Sequence, residues 1–188
     1  MKEEDLDLVL RAQAGDERAF ETLVEHYHIK VFHLLLGLVR DHGVAEELTQ
    51  EALVRAWRYL KGFKFRSGFW TWLYRIAYRI ALDYMRLKSL RPYFFDEWEP
   101  PADVTAEPVE YVLQKEREKK LLAALQELPL PQRAALILYF FEGLSYQEIA
   151  WITRRRIGTV RTDLHRGKKR LRQLLVEKWG FNNEGEQE

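Results

Sequence analysis

Residues 143–175 constrain the fold most tightly. Ser145 is followed three positions later by Glu148, the spacing of a capping box at a helix start. Ile149 and Ala150 then give a short helix its apolar face. The polar run Thr153 to Arg156 interrupts the pattern. A second apolar stripe follows at Val160, Leu164, Leu171, Leu174 and Leu175, at spacings that keep one face of a helix. The stretch predicts a short helix, a tight turn and a longer helix.

The other face of that longer helix is basic. From Ile152 to Lys178 there are ten Lys or Arg and two acids, Asp163 and Glu177. Arg154, Arg155 and Arg156 precede the helix, and Arg161, Arg166, Lys168, Lys169, Arg170 and Arg172 lie along it. A helix, a turn and a basic helix are the parts of a helix-turn-helix DNA reader. Arginine can fork onto guanine edges, while lysine and arginine elsewhere neutralise phosphate. Charge and period alone are equally those of a solvated basic face on an ordinary helix pair.

The order of the residues is more specific. Leu128-Pro129, Gln132-Arg133, Leu144-Ser145-Tyr146, Glu148-Ile149-Ala150, Gly158-Thr159-Val160 and His165-Arg166 together resemble the C-terminal DNA-binding region of extracytoplasmic-function sigma factors. That region reads the minus-thirty-five promoter element. The resemblance implies minus-thirty-five contacts from Arg154, Arg155, Arg156, Thr159, Arg161, Thr162, His165, Arg166 and Lys169.

Charge is arranged in blocks that the net value of +1 conceals. Residues 1–51 carry −7, residues 52–91 carry +9, residues 92–151 carry −6, and residues 152–178 carry +8. Two basic blocks separated by acidic ones predict two polyanion contacts and at least one different partner. With no cysteine, disulfides and thiolate metal sites are excluded. The acidic N-terminus MKEEDLDL does not read as a signal peptide, and no apolar run reaches membrane-spanning length. A cytoplasmic protein without membrane contact is expected.

In chain order, Leu6, Val9, Leu10 and Ala14 predict a short helix ended by Gly15. Asp16 can cap a long helix to about Arg40, with Phe20, Leu23, Val24, Tyr27, Val31, Leu34, Leu35 and Leu38 on one face. Asp41 to Gly43 reads as a turn. Val44 to Leu60 reads as a third helix with Ala45, Leu48, Ala52, Ala56, Trp57 and Leu60 inward. Its outer face carries Glu46, Glu47, Gln50 and Glu51. The dipole at a helix start favours such acids without any partner.

Gly62 to Arg86 follows. Phe63, Phe65, Phe69, Trp70 and Trp72 are interleaved with Lys64, Arg66, Arg75 and Arg79, and Gly62, Ser67 and Gly68 mark a loop before the helix. Aromatics among cations suit unstacked bases of a single strand, each worth roughly 1–3 kcal/mol. Here Ala45-Glu46-Glu47-Leu48, Gln50-Glu51-Ala52, Arg55-Ala56-Trp57 and Thr71-Trp72-Leu73-Tyr74-Arg75-Ile76-Ala77 resemble sigma region 2. That resemblance implies polymerase contacts from Asp41, Glu46, Glu47, Gln50 and Glu51. It also implies minus-ten contacts from Phe63, Lys64, Arg66, Phe69, Trp70, Trp72, Arg75 and Arg79. Two departures stand out. Tyr78-Arg79 replaces a frequent Arg-Asn, and Arg161-Thr162-Asp163 replaces a frequent Lys-Ser-Arg, which puts an acid on the recognition helix.

Residues 90–109 combine four prolines with acids, as a solvated linker does. Tyr93, Phe94, Phe95 and Trp98 are unusual in a spacer and suit packing on a domain or threading a partner's channel. Helix is expected to resume at Tyr111 to Glu127 and to break at Pro129 and Pro131. The whole reads as an all-α protein of two small helical domains, 1–90 and 111–178, on an acidic, proline-containing linker, 91–110, with a polar tail at 179–188.

The resemblance implies an alternative sigma factor. Its expected partners are core RNA polymerase at the beta-prime clamp and beta flap, promoter DNA as duplex and melted strand, and an anti-sigma factor. No metal or other cofactor is expected. A plain helix-turn-helix regulator would explain the C-terminal half but leave Ala45–Arg86 without a role. An enzyme acting on nucleic acid would need a catalytic constellation. His26 and His28 point differently on a helix and make a poor metal pair, and no Gly-rich phosphate loop is present.

Overall fold

A computed structural model describes residues 3–90 and 119–180. Two helical bundles pack on each other. The first holds α1 (Glu3–Gln13), α2 (Glu17–Val39), α3 (His42–Tyr59), a 3-10 turn (Leu60–Gly62) and α4 (Phe69–Leu90). The second holds α5 (119–126), α6 (Leu130–Leu136), a π-helical segment (Ile137–Phe141), α7 (Tyr146–Thr153) and α8 (Ile157–Trp179). The linker 91–110, its four aromatics, the expected helix start at Tyr111 and the tail beyond residue 180 lie outside the described residues.

Local chemistry sets the boundaries. Gly15 takes φ +103° between α1 and α2, and the Asp16 carboxylate accepts from Ala19 N at 3.2 Å. Asp41 caps α3 in the same way, accepting from Val44 N at 2.9 Å. Such caps contribute about 1 kcal/mol each. This cap starts α3 at His42, two residues before the expected Val44. The first core is built by Leu23, Val31, Leu34, Leu35, Leu38, Ala45, Ala52, Ala56, Leu73 and Ala77, all essentially excluded from solvent. Trp57 is not among them. It lies at the surface, its ring 4.8 Å from that of Phe20.

Pro131 does not break the second bundle. It occupies the first turn of α6, where its missing N–H would have had no intrahelical partner. The π segment is where periodicity misleads. Glu142 N donates to Ile137 O at 3.3 Å, across five residues. The wider turn leaves Phe140 and Phe141 exposed while Ile137 and Leu138 stay buried. Gly143, at φ +66°, then redirects the chain into α7.

The bundles meet through a polar clamp and a close approach. Arg133, 2% exposed, donates from one terminal nitrogen to Leu38 O at 2.7 Å and from the other to Gln126 O at 3.1 Å. Burial, with Arg40 nearby, pulls its pKa down to about 10. Gly37 of α2 faces Ile137, and a Cβ there would stand 2.6 Å from Ile137 Cδ1.

Candidate nucleic-acid interface

The reader helix is set by three features. The capping box forms, with Ser145 N donating to the Glu148 carboxylate at 2.9 Å and Glu148 N to Ser145 Oγ at 3.3 Å. Arg154 ends α7 in the left-handed region at φ 55°, and Arg155 N donates to Ala150 O. On α8, Val160 and Leu164 are buried and Leu171 and Leu174 pack against the core. Gly167 completes that stripe, a role no apolar pattern could reveal. A Cβ there would lie 3.2 Å from both Gln132 Cβ and Leu136 Cδ1, so glycine sets how closely α8 approaches α6.

Arg154, Arg156, Thr159, Arg161, Thr162, His165, Arg166 and Lys169 are all exposed, and α8 presents its share of them on the face away from α6. Arg155 differs. Its guanidinium pairs with Asp163, whose side chain is only 15% exposed. The acid therefore ties the turn to the helix and engages the half-buried Arg155 guanidinium. Asp163→Ala is expected to free Arg155 and remove one negative charge. The salt dependence of duplex binding should steepen by about one unit of log K against log salt. Fluorescence anisotropy across a salt series measures this, and an unchanged slope would mean that Arg155 reaches no phosphate.

The loop at 63–68 is anchored from beneath. Gln13 donates to Leu60 O at 2.8 Å and Phe63 O at 2.9 Å. Phe63 and Phe69 are 6% and 1% exposed. The Phe69 ring sits 5.7 Å from both Tyr27 and Trp72, and Phe63 lies 5.1 Å from Trp72. Both are among the residues for which the resemblance implies minus-ten contacts, and both are buried beneath the loop. Phe65, read above among the aromatics that suit unstacked bases, is 36% exposed at φ 55°, its ring 4.9 Å from Phe63. Lys64, Arg66 and Arg79 are exposed, and Trp70, Trp72 and Arg75 are half-buried.

On α3, Glu46, Glu47 and Gln50 form an exposed face. Asp41 is held at the cap, and Glu51 pairs with Arg55 one turn on.

The structure also brings the two basic regions together. The Tyr74 hydroxyl donates to the Glu142 carboxylate, and burial with that carboxylate nearby holds the phenol protonated. The Thr71 hydroxyl stands 3.5 Å from Glu148, and the Arg75 guanidinium lies 4.1 Å over the Trp151 ring. Thr71, Tyr74 and Tyr78 are nearly solvent-free. Among the described residues no group of His, Asp and Glu could hold a metal ion, and no helix is long and apolar enough to cross a membrane.

A paired bundle with a basic helix-turn-helix on one half and an aromatic–basic loop on the other defines a nucleic-acid-binding transcription factor. Known proteins narrow the class. Residues 23–91 match the family model of sigma-70 region 2, and residues 118–171 match that of sigma-70 region 4. The RNA polymerase sigma-H factor of Pseudomonas aeruginosa is 36% identical, over 93% of this chain and 95% of its own length. The ECF RNA polymerase sigma-E factor of Escherichia coli is 34% identical, over 89% of this chain and 92% of its own. A structure of the sigma factor RpoE in complex with the anti-sigma factor NepR from Bartonella quintana superposes with a TM-score of 0.69 at 25% identity, covering 85% of this chain and 98% of that one. The structure of CnrH bound to the cytosolic domain of CnrY shares the fold, with a TM-score of 0.72 at 22% identity over 94% of this chain and 99% of that one. The chain belongs to the extracytoplasmic-function group of sigma-70 RNA polymerase sigma factors, and its activity is promoter-directed initiation of transcription.

Proposed function

We propose that residues 1–90 dock on the beta-prime clamp of core polymerase and read the minus-ten element, while residues 111–178 contact the beta flap and read the minus-thirty-five element. The carrying observation is the exposed cationic face of α8, present on one chain with an exposed aromatic–basic loop. The acidic face of Glu46, Glu47 and Gln50, with Asp41 and Glu51 at its edges, is the clamp contact. Phe65, Lys64, Arg66, Trp70, Trp72, Arg75 and Arg79 meet the opened strand. Phe63 and Phe69 support them from below. Arg154, Arg156, Thr159, Arg161, Thr162, His165, Arg166 and Lys169 meet the duplex, with Arg155 braced by Asp163.

Polymerase fixes the spacing of the two readers, so two individually weak contacts reinforce each other. The chain performs no catalysis itself and works in the cytoplasm. An anti-sigma factor holds it inactive, as the RpoE relative is bound by NepR. Run-off transcription with core polymerase on a promoter library tests this reading. Promoter-specific transcripts that require the protein and disappear when Arg161 and Arg166 become alanine are expected. Tight sequence-specific duplex binding by the protein alone, without polymerase binding, would point instead to a plain helix-turn-helix regulator.

A further inference from the structure

A cleft of about 490 Å³ opens where α4 meets α7. It lies within the size range of small-molecule sites. Both bundles line it. Arg55, Tyr59, Trp72, Arg75, Arg79 and Asp83 come from the first, Trp151 and Arg154 from the second.

Its charge is unbalanced. Among the described residues, Arg55 has Glu51 as partner, and Asp83 is the one carboxylate that lines the cleft with Arg75, Arg79 and Arg154. Burial and the two neighbouring guanidiniums all weaken Arg75's hold on its proton, so the cations press on one another. An anion would relieve that pressure. One of the cations is also held in place: Arg75 lies 4.1 Å over the Trp151 ring. Arg154 is exposed at the C-terminal cap of α7. Planar guanidiniums fork onto phosphate oxygens, and Tyr59 and Trp72 line the same cleft, where a base would lie.

We propose that this cleft binds a phosphorylated nucleotide unit in the polymerase-free protein, its phosphates bridging Arg75 and Arg79 of the first bundle to Arg154 of the second. The inference rests in part on the minus-ten reading, since it shares Trp72, Arg75 and Arg79 with it. It adds a residue of the other bundle, and therefore a ligand that holds the bundles together. Opening them for promoter contact would release it. The unit is a free nucleotide, as distinct from a residue of the opened strand.

Isothermal titration calorimetry on the full-length protein tests the site. ATP, adenosine, inorganic pyrophosphate and a 5′-phosphorylated tetranucleotide are the probes. ATP is expected to bind more tightly than the tetranucleotide, whose binding in preference to ATP would only restate the minus-ten reading. Pyrophosphate should bind more weakly and adenosine not measurably. Arg79→Ala and Arg154→Ala should each weaken binding by about tenfold or more, the loss of one charge-assisted contact. Arg154→Lys, which keeps the charge, should restore part of the loss, and Lys30→Ala, an exposed cation outside the cleft's lining, should change nothing. Circular dichroism confirms that each variant folds.

Absence of heat from ATP, or tighter binding of the tetranucleotide than of ATP, would overturn the proposal. So would affinities unchanged by Arg79→Ala and Arg154→Ala, or pyrophosphate binding as tightly as ATP. Run-off transcription reports separately on the minus-ten reading. Nucleotide binding that survives alongside loop variants with normal initiation would sink that reading and leave the cleft standing.

Discussion

Replacing Phe69 with alanine is expected to destabilise the first bundle by about 3–5 kcal/mol, the range for emptying a buried aromatic site. The ring is 1% exposed and touches Tyr27, Phe63 and Trp72, so no neighbour can collapse into the space without disturbing the loop. Phe65→Ala should behave oppositely. That ring is partly in water, and its loss should cost no more than about 1 kcal/mol of stability. If Phe65 stacks on an opened base, promoter-specific initiation should fall roughly 5- to 150-fold, the equivalent of about 1–3 kcal/mol. Urea unfolding and run-off transcription on the same preparations separate the two effects. Full initiation by Phe65→Ala would move the reading surface to Trp70 and Trp72. Loss of initiation in Phe69→Ala would say little about DNA, because the loop's support is gone.

Arg133→Ala is expected to cost about 3 kcal/mol, since it leaves the buried carbonyls of Leu38 and Gln126 without a charged donor. For a chain of this size that corresponds to a fall in Tm of roughly 6–12 °C. The clamp joins the C-terminal end of α2 to the second bundle, so the loss should also separate the bundles. A larger hydrodynamic radius before the unfolding transition would report this. The pH dependence has a definite sign. Arg133's pKa in the folded chain, about 10, lies well below the ordinary arginine value, so the unfolded chain holds this proton more tightly. Burying the charge therefore costs stability below pH 10, and the cost is relieved as pH rises between the two values. From pH 6 to 9 both states are protonated, and the difference between wild type and Arg133→Ala should stay flat. A difference that changes across that range would assign the clamp's stability to some other titrating group.

The helix-turn-helix was legible because its determinants are local. The capping box, the polar turn and the apolar stripe of α8 each follow from near neighbours, and all form as expected. The caps at Asp16 and Asp41 were equally readable. What the residues did not disclose depends on contacts distant in the chain. Composition cannot tell a stacking ring from a supporting one. Phe69 packs on Tyr27 of α2, and Phe63 is held from beneath through Gln13 of α1, contacts far apart in the chain. Asp163 looked like an acid misplaced among DNA-reading cations, and its pairing with Arg155 is visible only once the turn has folded. The π segment escaped because Ile137, Leu138, Tyr139 and Phe140 fit an α period as well as a wider one. Gly167 carries no side chain to announce that it belongs to the core.

The strip of α4 bearing Thr71, Tyr74 and Tyr78 lies on the helix proposed to handle the opened strand, yet here it is covered by the second bundle. Arg75 on the same helix lies over Trp151 of the second bundle and is also proposed to meet the strand, so a substitution there acts on both contacts at once. A change that loosens the intramolecular contact enlarges the share of chains ready for polymerase, tenfold for each 1.4 kcal/mol while that share is small. The same change can weaken the grip on the promoter. Transcript output then follows the ratio of the two effects. At Arg75 the quietest promoter state and the strongest initiation cannot be selected independently, whereas substitutions at Glu142, outside the proposed DNA contacts, can tune the first without touching the second.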